Sequence, residues 1–140
     1  MAGLLTDAGA TYILGAAFGA TSKLTSFTLQ LCTIMTTISD ADTTSTHTVI
    51  PNAEAGYADI TLDNDATVSS VGGIPTLVWE RQSFVFSGPL TTNPNVVGYQ
   101  IKSGTTLIAV EKFDNVFTPE LADDELKIIP TIRMGNGTPT

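Results

Sequence analysis

Between Gln82 and Phe113, runs of side chains alternate with a period of two. Phe84 and Phe86 interleave with Ser83, Val85 and Ser87, and Val97, Tyr99 and Ile101 interleave with Gly98, Gln100 and Lys102. Side chains two apart on a strand share a face, so this pattern predicts half-buried antiparallel strands. Val96–Lys102 and Thr106–Phe113 meet at Ser103-Gly104, a tight-hairpin signal. Similar reasoning predicts strands at Phe27–Leu31 and at Ala58–Leu62, the latter ending in the turn Asp63-Asn64-Asp65. Thr67–Val71 is expected to pair with Ile74–Trp79 across Gly72-Gly73, with Pro75 assigning the second strand to an edge or a bulge. Gln82–Phe86 follows, and Leu126, Ile128 and Ile132 form a last alternating run broken by Pro130. Thr36–Thr48, with little apolar content, reads as a long loop, and Gly135–Thr140 as a flexible tail.

One stretch carries helical spacing. In Thr6–Phe18, Thr6 can cap the N-terminus and Asp7 lies where the helix dipole favours an anion. Leu14 and Phe18 are four apart and share a face, Gly15 weakens the helix and Gly19 can end it. The segment is too short, with flanks too polar, for its Gly15–Gly19 pair to signal membrane dimerisation, so a short helix packed on the sheet is expected. About eight short strands at intervals of roughly ten residues predict a mainly β chain. The expectation is a single domain over residues 1–140, a two-sheet β-sandwich or jelly-roll-like fold with one short N-terminal helix.

Composition narrows the function classes. Apolar residues make up 42% of the chain and charged residues only 14%, so a packed core is expected rather than disorder. Thr and Ser supply the polarity, a surface suited to contact with other protein. The net charge is −8, and the basic residues Lys23, Arg81, Lys102, Lys112, Lys127 and Arg133 are scattered, which argues against a nucleic-acid partner. Cys32 is alone, lies in the apolar run Phe27–Ile34 and reads as a small buried hydrophobe. No apolar run approaches the ~20 residues of a membrane-crossing helix, so no membrane partner is expected. The opening Met-Ala-Gly-Leu-Leu-Thr-Asp lacks the basic region of a signal peptide.

Few residues offer chemistry. His47, the only histidine, sits in Thr44-Ser45-Thr46-His47-Thr48 and is expected to be an exposed loop residue. Asp40 and Asp42, like Asp63 and Asp65, are spaced two apart as in calcium loops, but the glycine and later glutamate of such a loop do not follow in register. Glu120-Leu121-Ala122-Asp123-Asp124-Glu125 concentrates acid before the last run and reads as a solvated turn. Trp79, the only tryptophan, is expected in the core or a subunit contact. No catalytic, cofactor-binding or metal-binding residue is assigned, and no cofactor is expected.

Several segments carry a resemblance. They are Leu5-Thr6-Asp7-Ala8-Gly9-Ala10 with Ile13-Leu14, Thr25–Leu31, Gln82-Ser83-Phe84-Val85-Phe86-Ser87-Gly88-Pro89-Leu90, Val97-Gly98-Tyr99, Thr106–Phe113 and Phe117-Thr118-Pro119. Together they resemble short structural proteins of tailed bacteriophages, the small head-decorating (cement) proteins and related tail accessories. The resemblance implies a non-enzymatic virion protein on the capsid surface, made in the host bacterial cytoplasm. Its implied partners are the major capsid protein and further copies of itself, as a homotrimer at three-fold positions. The absence of disulfides agrees with assembly in a reducing compartment. An alternative is a tail-fibre or baseplate module touching host glycan through Thr36–Thr48, with Trp79 or Tyr57 as an exposed platform. A third reading is a glycan hydrolase using Glu80, Asp123 and Asp124. Contacts are expected from Met1–Leu5, from Gly135–Thr140 or from the loop Thr36–Ala55.

Overall fold

The computed structural model describes residues 3–20, 22, 26–63 and 65–134. In chain order the elements are β1 (Gly3–Leu5), α1 (Asp7–Ala17), β2 (Phe27–Ile34), β3 (Thr48–Val49), a 3-10 turn at Glu54–Gly56, β4 (Ile60–Leu62), β5 (Thr67–Val71) and β6 (Ile74–Val78). They continue with β7 (Gln82–Phe86), β8 (Val96–Ser103), β9 (Thr106–Phe117), β10 (Asp124–Ile128) and β11 (Thr131–Arg133). The fold is mainly β, two sheets with one short N-terminal helix, as the alternation predicts.

The two sheets are unequal. Among the described residues nine strands form one sheet in the order β3-β2-β8-β9-β1-β11-β6-β5, with β4 also on β2, while β7 and β10 form a two-stranded ribbon. The alternating residues of the spine β2–β8–β9 explain the layering. Leu29 and Leu31 pair with Ile101 and Tyr99 and face the main core. The ribbon closes over that core with Phe84, Phe86 and Ile128, while Val85 between the two phenylalanines stays exposed. Phe86 meets Phe117 at 5.8 Å between ring centroids, and Phe84 stacks on Tyr57 at 5.7 Å. Trp79 is buried too, its indole N–H donating to the carbonyl of Asp63 at 2.9 Å and its ring edge-on to Phe27.

The opposite face of the spine is apolar as well. Cys32, Met35, Leu107 and Val110 form a second cluster there, covered by the loop that leaves β2. Helix α1 docks on β9. The Thr6 side chain accepts the Gly9 N–H as N-cap and donates to the Leu107 carbonyl, and the Thr6 N–H bonds the Ile108 carbonyl at 2.9 Å. Past the helix end Ala20 N–H reaches Gly15 and Gly19 N–H reaches Ala16, with Gly19 at φ 72, the left-handed cap expected of that glycine.

Five segments are placed more finely or differently than the pattern predicts. Gly3–Leu5 does not wait for a partner outside the fold: β1 pairs antiparallel with β9 and parallel with β11, because its apolar residues complete the sheet where β9 would otherwise have an open edge. Met1, Ala2 and the tail Gly135–Thr140 lie outside the described residues. Leu14 and Phe18 do share a face, but it points outward; Gly9, Ala10 and Ile13 meet the sheet. Strand β6 is interior, between β11 and β5, and Pro75 is accommodated beyond the Thr76–Val78 pairing with β11, where its carbonyl accepts the Met134 N–H at 2.9 Å. The last alternating run is two strands in different sheets, with Pro130 between Ile128 of β10 and Thr131 of β11. The loop Thr36–Ala55 is partly consumed by packing, with Asp42, His47 and Ile50 buried.

The helix reaches the sheet at Gly9, where a Cβ would stand 2.4 Å from the Ile108 carbonyl oxygen and 2.9 Å from its Cα. On an isolated helix Gly→Ala is worth roughly 1 kcal/mol of added stability. Here Gly9→Ala is expected to destabilise by about 1–3 kcal/mol, since backbone must move to admit the methyl. Denaturant unfolding of the variant measures the sign.

Candidate interaction surface

Several of the polar residues that offered chemistry are engaged in bonds within the fold. His47 is the clearest case and a correction: it is buried, not an exposed loop residue. Its Nε2 lies 2.8 Å from Asp42 Oδ2, the oxygen that also accepts the Ser39 N–H at 3.0 Å. The loop folds onto the outer face of β2–β8–β9, and this pair closes it. Asp40 accepts the Asp7 N–H through its carbonyl, tying the loop to the start of α1. Asp42 therefore serves a turn rather than a cation, and among the described residues no group of three or more His, Cys, Asp or Glu could hold a metal.

The acidic run Glu120–Glu125 is likewise a turn, leading into the first residues of β10. Asp124 Oδ2 accepts the N–H groups of Glu120 and Leu121 at 2.7 and 2.9 Å, which holds its carboxyl below the usual range. Asp123 takes a positive φ of 69° and its N–H bonds the Phe86 carbonyl. Glu125 pairs with Lys127 at 2.8 Å and accepts the Ser83 hydroxyl. Glu54, which the sequence pattern does not single out, accepts the Thr91 and Thr92 N–H groups at 2.7 and 3.1 Å, pulling the segment after Leu90 onto the 3-10 turn. Those backbone bonds lower its pKa too.

Inside the molecule a polar chain crosses β2. The Leu31 N–H donates to the Tyr57 hydroxyl at 2.9 Å, which donates to Asp59 Oδ1 at 2.8 Å. Gln30 Nε2 donates to Asp59 Oδ2, and Gln100 Nε2 to Gln30 Oε1. Tyr57 and Trp79 are thus core residues, not an exposed platform for a sugar ring. Burial pushes the Cys32 thiol up to about 12, as befits a small hydrophobe. Elsewhere Tyr99 donates to Glu111 at 2.6 Å, and burial raises the Glu111 carboxyl although that bond lowers it.

Two exposed surfaces carry little or no charge. At the end of α1, the C-cap residue Phe18 keeps 84% of its surface and Leu14 57%; on β5 all five residues are exposed. A shallow groove of about 280 Å³ beside β7 is lined by Tyr57, Asp59, Ser83 and Phe84. Another of about 380 Å³ lies over Glu111 and Phe113. Neither brings together a nucleophile, a base and a cation. Among the described residues no helix is long and apolar enough to cross a membrane. Comparison with protein-family models, with curated proteins and with solved structures finds no match to this chain.

Two stability measurements test this account. Tyr57→Phe leaves the buried Leu31 N–H without its acceptor and is expected to cost about 1–3 kcal/mol in denaturant unfolding. Glu111 behaves oppositely to Glu54 and Asp124. Its folded pKa is raised, so the native state holds its proton more tightly than the unfolded chain and loses stability as pH rises through that window. Glu111→Gln keeps an acceptor for Tyr99 and removes the buried charge. It is expected to be more stable than the parent at pH 7, with the difference vanishing below pH ~4.

Proposed function

We propose that the chain is a non-enzymatic structural protein of a bacteriophage virion, a cement protein that binds the capsid surface and self-associates as a homotrimer. The observation that carries this reading is the apolar patch at the C-terminal end of α1, where Leu14 and the C-cap residue Phe18 stand exposed on a helix with a single charged residue, Asp7. A helix whose last turn is apolar on both sides is suited to burial on both, here on the sheet on one side and in another protein on the other. The resemblance of the β-strand segments and of the helix start to phage head-decorating proteins supplies the identity of that other protein, the major capsid protein. Such a role calls for no chemistry. Packaged DNA pushes capsid subunits apart, and a stiff β body bound across them opposes the separation.

The glycan-binding tail module draws no support from Trp79 or Tyr57, since each is buried. A hydrolase using Glu80, Asp123 and Asp124 draws none from the acidic run, which bonds its own turn.

Quantitative mass spectrometry of purified virions tests the proposal. Hundreds of copies per particle are expected; a few to some tens would assign the tail, and absence from the virion would overturn a structural role. Leu14→Gln with Phe18→Ser is expected to leave stability within about 0.5 kcal/mol, since neither side chain is in the core. The same double variant should lower capsid occupancy and the resistance of filled heads to heat.

A further inference from the structure

Strand β5 ends the large sheet, and nothing in its sequence protects that edge. Thr67-Val68-Ser69-Ser70-Val71 carries no charge and no proline, and Val68 keeps 77% of its surface exposed. Its described pairing is with β6 alone, in continuous register from Val71–Ile74 to Thr67–Val78. Exposed edges of this kind are normally blunted by lysine, proline or a bulge, because they template pairing with another strand.

The turn fixes which backbone groups are free for that pairing. Gly72 and Gly73 both have positive φ, 60° and 80°, so the two-residue turn closes on a hydrogen-bonded pair. Bonded and non-bonded pairs alternate along an antiparallel ladder. Val71, Ser69 and Thr67 therefore spend their N–H and C=O groups on β6, while Val68 and Ser70 aim theirs outward.

We propose that two copies of this chain join through β5, antiparallel, about a two-fold axis at Ser69. In that register Val68 of each copy faces Ser70 of the other, so both outward-facing residues exchange N–H···O bonds in both directions. Ser69 faces Ser69, and Val71 faces Thr67. An isologous contact must be self-complementary, and this one is complete with no residue of β5 left over. β-branched residues opposite small hydroxyl residues suit a strand pair. The charge pattern favours a second copy as the occupant. The chain carries −8, yet residues 67–78 have no charge. The nearest acid, Asp65, comes opposite Gly73 of the other copy rather than opposite another acid. The large sheet then runs without a break from one copy into the next. This goes beyond the capsid role: where both hold, β5 links copies belonging to neighbouring trimers.

Engineered cysteines read the register. Facing residues at a non-hydrogen-bonded antiparallel pair have Cα atoms about 4.5 Å apart, within disulfide range. Under mild oxidation of the pure full-length protein, Ser69→Cys is expected to cross-link two copies at least about tenfold faster than Val71→Cys, since pairing raises the effective thiol concentration only at the axis. Native Cys32 is buried and does not compete. Adding Ser70→Pro, which removes an outward N–H and no bond to β6, should abolish the advantage while circular dichroism stays unchanged. Equal rates for the two cysteines, or a Ser69→Cys cross-link indifferent to Ser70→Pro, would overturn the proposal. So would a Ser69→Cys protein that stays uncross-linked yet loses capsid binding with Val68→Lys, which would assign the edge to a foreign strand. Because the cross-link is measured without capsids, it stands or falls separately from the capsid reading.

Discussion

The spine β2–β8–β9 has apolar residues on both faces, and the chain has little with which to cover the second one. On the inner side the β7–β10 ribbon lies over Leu29, Tyr99 and Ile101. On the outer side the cover is the loop after β2, while the eleven-residue helix packs Ala10 and Ile13 against the edge of the main core. Covers that thin must come to backbone contact, and two glycines permit it. Gly9 lets α1 touch the Ile108 backbone. At Gly98 a Cβ would sit 2.2 Å from both the Glu111 carbonyl oxygen and the Met35 sulfur, so the loop can drop Met35 into the second cluster. Thr6 and the His47–Asp42 pair then fasten the two covers by hydrogen bonds.

The same economy shapes the polar groups of the core. Strand β2 has two short neighbours on one side, β4 along Phe27–Leu29 and β3 along Cys32–Ile34, with Leu31 between them. An unpaired N–H and C=O at a fully buried residue would each be costly. The Tyr57 hydroxyl takes the N–H, and the Ile50 N–H takes the carbonyl at 3.0 Å. Tyr57 does this while stacking on Phe84, so one side chain joins the large sheet to the ribbon and mends the ladder. A satisfied buried network of this sort favours a single arrangement over its competitors.

Several carboxylates are bonded to turn amides and the histidine is sealed under a loop, and the two surfaces proposed for recognition carry little charge. The outer face of α1 and the edge of β5 are of different kinds: one offers side chains, the other a backbone ladder and little else. A protein whose net charge repels its copies can still assemble through patches from which charge is absent. The capsid proposal and the two-fold proposal use these two patches separately.

Local patterning determined much of this fold. Period-two alternation located β2, β7, β8 and β9, the glycine pair located the turn of the β5–β6 hairpin, and Thr6 and Gly19 marked the ends of α1, because each depends on contacts within a few residues of itself. Only the tertiary structure decided the rest. Gly3–Leu5 is too short to show a period, and it becomes a strand because β9 and β11 lie on either side of it. Ile128 and Ile132 look alike in sequence, yet they belong to different sheets because Pro130 lies between their strands. His47 sits among polar residues and is buried nonetheless, since burial there is set by Asp42 and by an outer sheet face that alternation could not identify as needing cover. Leu14 and Phe18 read as a packing face, but the close approach at Gly9 turned the other side of the helix inward. The uncharged composition of β5 was legible from the start. That its free groups belong to Val68 and Ser70 followed only from the hairpin register.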